Sequence, residues 1–229
     1  GAVTAAPGYF KRIREICDQY GVLLILDEVM CGMGRTGHLF ACDAEGIAPD
    51  ILCIAKGLGA GYQPIGAMLC STGVYDAIAN GTGFFQHGHT YLGHPIACAA
   101  GLAVLQEFET HNLIAQVQER GAFLESALRA RFGQHAHVGD IRGRGLFWGV
   151  ELVADRDTKT PFDPKLGLAG KLKKAAQAEG LLCYPMGGTR DGRVGDHILL
   201  APPFISTEEQ LASVVDILGR SIDTVLAGV

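Results

Sequence analysis

The stretch Ile51–Ala67, ILCIAKGLGAGYQPIGA, decides the fold. Ile51, Leu52 and Ile54 form a short continuous apolar run bounded by turn residues, the pattern of a buried strand rather than a helix. The run ends in a lone cation, Lys56, followed by glycines at 57, 59 and 61. A lysine leaving a buried strand is held near low-dielectric surroundings, where its pKa can fall and its amine can become a nucleophile. Glycines there let the backbone approach a bound group closely and adopt positive φ at little cost. Taken alone, the same pattern also describes a solvated loop lysine beside an ordinary turn.

Composition limits what surrounds this stretch. Hydrophobic residues make up 48% of the 229 residues and charged residues 19%, a globular mixture long enough for one or two domains with a sizeable core. A net charge of −5 argues against a nucleic-acid groove or a polybasic membrane surface as the main function. No apolar run approaches the roughly 20 residues that span a bilayer. The 7 cysteines are scattered without CxxC spacing, several within apolar runs, as reduced core thiols are; a reducing, cytoplasmic location is expected. The chain opens on Gly1, and Pro7-Gly8 soon leads into a helix, so a fragment or a processed chain is expected.

Working outward, residues 8–20 read as an amphipathic helix stopped by Gly21. Residues 22–26 (VLLIL) then read as a fully apolar strand of a parallel sheet. It runs into Asp27-Glu28-Val29, which puts two carboxylates at the carboxyl end of a strand, where open α/β sheets place ligands. Glu28 reads as turned to solvent, whereas Asp27 follows the apolar run directly and needs a cationic partner if buried. The loop CGMGRTG (31–37) matches neither a P-loop nor a dinucleotide fingerprint. A short helical patch near 39–45, a strand over 64–71 and helices near 74–80 and 96–109 complete this half.

The segment 81–95, GTGFFQHGHTYLGHP, carries His87, His89 and His94 at spacings that do not suit a metal, and no metal is expected. Thr90, close to glycine, is the better candidate for phosphate contact. A boundary is placed near residue 110, giving units 1–110 and 111–229. The second should run helix to about 131, strands 138–142 and 146–152, helix 165–177, strands 181–184 and 197–200, and a helix after Ser206-Thr207.

A buried-strand aspartate, a strand-end lysine and a glycine-flanked threonine are together three parts of a pyridoxal phosphate site: Schiff-base amine, pyridine-nitrogen partner and phosphate donor. The stretches LLILDEVMCGMGRTG, DILCIAKGLGAGYQPIGA and HGHTYLGHPIACAAGLAVL, with GDHILLAPPFIST near the end, resemble the class-III (omega) aminotransferases of the fold-type-I group. The resemblance implies an α/β fold: the second half of a large, mostly parallel-sheet domain plus an α+β C-terminal small domain. It implies pyridoxal 5'-phosphate as cofactor, Lys56 as the lysine that binds it, Asp27 on the pyridine nitrogen and Val29 packed on the ring. Thr90 would reach the cofactor phosphate of the other subunit, so a homodimer with shared active sites is implied. Arg190 or Arg193, both read as lying in the loop before GDHILL, would bind a substrate carboxylate.

Family members are roughly twice this length. The phosphate-binding loop, the ring-stacking aromatic and the first strands of the large sheet belong to an N-terminal half, expected here as a separate chain if this one is a piece. The implied reaction moves an amino group from an amine or omega-amino acid to pyruvate or another 2-oxo acid. An aminomutase or decarboxylase of the same fold, or a silent fragment that only packs with partner chains, are the alternatives.

Overall fold

A computed structural model describes residues 1–229. The chain divides into two compact units, one of residues Ala5–Ala115 and one of Gln116–Val229 joined by Gly1–Thr4.

In the first unit, helix α1 (Tyr9–Tyr20) ends on Gly21, whose φ of 64° lets its N–H return to the Cys17 carbonyl. Strand β1 (Ile25–Asp27) pairs in parallel with β2 (Ile51–Ile54), Ile25 facing Ile51 and Asp27 facing Cys53. β2 pairs antiparallel with β3 (Ala67–Cys70), so the sheet is mixed, in the order β1-β2-β3. Helices α2 (Thr72–Ala79) and α3 (Pro95–Thr110) follow. The core is small: Met33, Leu52, Ile54 and Leu58, with Leu26, Phe40 and Ile65 against it. α3 buries only Ala97, Gly101 and Phe108.

The strand expected over 22–26 is shorter and starts later, and it is not buried on both faces: Val22, Leu23 and Ile25 are exposed. Tyr75, Phe84, Phe85, Tyr91, Leu92, Ile96 and Leu102 are exposed as well, so this unit leaves much of its apolar surface open.

One tie in this unit is electrostatic. Asp50 accepts from the Leu24 N–H at 2.7 Å and from Arg14 Nη1 at 2.8 Å, joining α1 to the starts of β1 and β2. The Leu24 N–H and then the Arg14 guanidinium hold its carboxyl below the usual carboxylate range. A folded-state pKa below the unfolded one adds stability that is full above the unfolded pKa. That stability fades as pH falls through the folded value. Asp50→Ala is expected to cost about 2 kcal/mol at neutral pH. Urea melts of variant and parent should converge as the pH is taken well below 4, on the order of the carboxylate range.

The second unit closes on itself. Helix α4 (Leu113–Phe132) precedes β4 (Val138–Arg144), β5 (Phe147–Leu152), α5 (Leu168–Ala178), β6 (Tyr184–Arg190), β7 (Val194–Leu200) and α6 (Glu208–Leu226). The sheet is antiparallel throughout, in the order β4-β5-β7-β6. Leu124, Leu128 and Phe132 of α4 pack with Val150, Ile198, Leu172, Leu211, Leu218 and Ile222, all essentially without exposure. Thr207 caps α6 through a reciprocal pair with Gln210. A strand was expected over 181–184, but β6 begins only at Tyr184. Leu181 is drawn into the core behind α5 while Leu182 stays exposed, an alternation broken by the turn at Gly180. None of the helices is long and apolar enough to cross a membrane.

Candidate active site

β1 and β2 run the same way, so both deliver their carboxyl ends to one edge of the sheet. Asp27 is the last residue of β1 and lies beside Cys53; β2 ends one residue later and Lys56 follows at the next turn. The lysine sits at φ 40°, in the left-handed region that costs a non-glycine residue about 1–3 kcal/mol. The following glycines are not the residues with the strained backbone. Gly57 serves close approach instead, because a Cβ there would lie 2.8 Å from the Met33 Cβ. Only Gly61 of the three has positive φ, at 83°.

The exposure of the two groups departs from expectation. Lys56 is exposed, so the low-dielectric surroundings expected around its amine are not supplied by its own unit. Its ammonium makes no ion pair or hydrogen bond. Asp27 is exposed too, its Oδ1 accepting from the Val29 N–H at 2.9 Å, and Val29 is half-buried.

The carboxylate that goes inward is Glu28, at 3% exposure, overturning its expected place in solvent. Its Oε2 accepts from the Ala41 N–H at 2.6 Å and its Oε1 from the Cys42 N–H at 2.8 Å. Two donors at the start of the 3-10 turn Ala41–Glu45, which would otherwise lack partners, are thereby satisfied. Burial and the Glu28 carboxylate push the Cys42 thiol up to about 12. The signal was present in the alternation: Leu24, Leu26 and Glu28 share one face of the strand, Ile25 and Asp27 the other. In the adjoining glycine-rich loop, burial lowers the Arg35 guanidinium to about 10.

Thr90 lies in the exposed segment between α2 and α3, within the same unit as Asp27 and Lys56. In this segment the His87 and His89 rings meet edge to face at 5.0 Å. Arg190 and Arg193 are in the other unit. They were expected together in a loop, but Arg190 closes β6 and only Arg193 is in the turn to β7; both are exposed.

The profile of the aminotransferase class-III family matches residues 1–222. The chain belongs to that family. It is 45% identical to an uncharacterized aminotransferase of Schizosaccharomyces pombe over 99% of its own length and 50% of that protein's. It is 38% identical to the adenosylmethionine-8-amino-7-oxononanoate aminotransferase of Geobacter sulfurreducens, covering 49% of it. An (S)-enantioselective omega-transaminase from Thermomicrobium roseum superposes with a TM-score of 0.90 at 35% identity, over 99% of this chain and 48% of that one. A transaminase from a marine Virgibacillus gives a TM-score of 0.94 at 32% identity and 51% coverage. The chain therefore spans about half the length of these relatives, and its mixed α/β fold matches half of a fold-type-I transaminase.

Class-III aminotransferases use pyridoxal phosphate. The chemistry of the groups present fits part of such a cofactor's needs. An unpaired amine and an acceptor-only carboxylate stand at the carboxyl ends of adjacent parallel strands.

Proposed function

We propose that this chain carries the lysine- and aspartate-bearing part of a pyridoxal phosphate-dependent transaminase. The observation that supports the reading is the parallel β1–β2 register, in which Asp27 pairs with Cys53 and Lys56 follows two residues after β2 ends at Ile54. Bound pyridoxal phosphate supplies an electron sink for the carbanion left when a substrate loses its α-proton. The chain's own groups have the other tasks. Lys56 Nζ would hold the cofactor, and its amine is the group that would take the α-proton and return it elsewhere, acting as base and then acid. The Asp27 carboxylate holds the proton on the pyridine nitrogen, and the Val29 N–H keeps that carboxylate oriented. Val29 would pack on the ring, and Thr90 would offer its hydroxyl to the phosphate of the other subunit's cofactor. Arg190 or Arg193 takes a substrate carboxylate, for which a guanidinium fork is suited.

The donor is an amine or omega-amino acid and the acceptor pyruvate or another 2-oxo acid. The open apolar surface of residues 5–115 favours a working form in which further polypeptide covers it, from a second copy and from the other half of the fold. On its own the chain would then be the silent fragment; an aminomutase or decarboxylase would use the same lysine and aspartate.

The test is chemical capture. This chain, assembled with the polypeptide that completes the fold, is incubated with pyridoxal phosphate, reduced with borohydride and peptide-mapped, with intact mass showing which chains are present. One label, confined to Lys56, is expected. Label spread over Lys11, Lys165 and Lys171 in proportion to exposure would sink the reading. Stoichiometric, keto-acid-dependent amino transfer separates a transaminase from the mutase and decarboxylase.

A further inference from the structure

Among the acidic side chains of residues 5–115, Glu28 is the one that is buried, and nothing in the proposed chemistry uses it. Its connections run in both directions along the site. Toward β2, its N–H donates to the Cys53 carbonyl at 2.9 Å, extending the parallel ladder one step past Asp27. Toward the loop, its carbonyl accepts from the Gly32 N–H at 2.9 Å. A Cβ at Gly32 would come within 2.8 Å of that carbonyl and 3.0 Å of Oε2, so the turn closes tightly over the glutamate. The next residue, Met33, is 2% exposed with φ 50°, and its Cβ forms the floor under Gly57, directly after Lys56.

We infer that Glu28 is a positioning residue for both Asp27 and Lys56. Its two oxygens, fixed on the Ala41 and Cys42 N–H groups, set the turn 28–33; that turn in turn orients Asp27 through the Val29 N–H and supports the lysine turn through Met33. The inference rests on the functional reading given above for Asp27 and Lys56. A carboxylate suits the task because it accepts only and meets two converging donors, one per oxygen. Gln presents an NH2 to one of those donors, so it keeps one bond and loses the other. Ala leaves both N–H groups in a buried place without an acceptor.

The test reads amide hydrogen exchange in the whole chain for Glu28→Gln and Glu28→Ala. If Glu28 only capped the 3-10 turn, faster exchange would be confined to residues 41–45, and the inference would be overturned. The inference requires the Leu58 and Gly59 amides, which donate to Ala55 and Lys56, to exchange about tenfold to a hundredfold faster in Glu28→Ala. A smaller rise in the same direction is expected in Glu28→Gln, which retains one acceptor and serves as the folded comparison. Borohydride capture of pyridoxal phosphate at Lys56 should slow in parallel in Glu28→Gln, by about tenfold. If the assembled parent enzyme captures no cofactor at Lys56, the functional reading has failed, while the exchange at Leu58 and Gly59 still decides whether Glu28 holds the lysine turn.

Discussion

Lys56→Ala is expected to abolish borohydride-stable attachment of pyridoxal phosphate and to lower amino transfer by about 10⁴-fold or more in the assembled enzyme, because both the covalent attachment and the proton carrier are lost together. Lys56→Arg should fail as completely: a guanidinium keeps the charge but is not deprotonated in proteins and so is no nucleophile. Added methylamine would restore part of the proton transfer in Lys56→Ala but none of the attachment, which distinguishes the two roles. The backbone offers a further control. Lys56 occupies φ 40°, so Lys56→Gly removes left-handed strain while it removes the amine. The glycine variant should melt no lower than the parent, and up to about 1 kcal/mol more stable once the extra freedom of glycine in the unfolded chain is set against the relief. A site lysine whose removal stabilises the chain is one held in place for chemistry. A glycine variant with undiminished capture or transfer would remove Lys56 from the site.

How far this site could be read in the sequence differs from residue to residue. The positions of Asp27 and Lys56 at the ends of strands were legible because each closes a short apolar run, and the end of such a run fixes where a strand delivers its next side chain. Their surroundings were not. Whether Lys56 is buried depends on what stands across the sheet edge, and residues 5–115 do not supply it. The burial of the two carboxylates runs opposite to expectation. Adjacency to an apolar run suggested that Asp27 is the enclosed one, but the period-2 alternation through Leu24 and Leu26 sends Glu28 inward. What makes that burial favourable is the pair of amides at Ala41 and Cys42, distant in sequence, and no local pattern announces them. The glycines after Lys56 show the same limit. They signalled a backbone constraint, yet the constraint at Gly57 is contact with Met33, and the left-handed conformation falls on the lysine itself.

The helices were legible for a different reason. α1 and α6 carry their stop and start signals within a few residues: Gly21 at one end, Thr207 with Gln210 at the other. β6 carries no such signal. Its sequence, YPMGGTR, alternates neither in polarity nor in β-propensity. It is a strand because β7 presents a hydrogen-bonding edge to it, with a register shift between Gly187 and Arg190 that the glycines absorb. Arg190 was placed in a loop on that account and proves to be a strand-end residue.

The self-contained second unit gives the largest expected effect on folding. Gly121 lies midway along α4, where glycine costs a helix about 1 kcal/mol relative to alanine. Propensity alone therefore says that Gly121→Ala should stabilise. Geometry says otherwise, since a Cβ at 121 would lie 2.5 Å from the Gly145 carbonyl oxygen and 2.7 Å from its C and Cα. These are backbone atoms, which no rotamer change can move. The turn that carries them is fixed from its other side, because Trp148 Nε1 donates to the same carbonyl at 2.7 Å and Leu146 is fully buried. Relief would require α4 to shift as a body away from the β4–β5 turn, opening the contacts of Leu124 and Leu128 with the rest of the core. Overpacking of this kind costs about 3 kcal/mol, so a net loss of about 2 kcal/mol is expected for alanine and a failure to fold for valine. Gly170 in α5 is the internal comparison: a Cβ there meets nothing within 4 Å, so Gly170→Ala should gain up to about 1 kcal/mol. Urea melts of the two alanine variants should move in opposite directions from the parent. If both moved upward, the close approach of α4 to Gly145 would not be the constraint that keeps residue 121 a glycine.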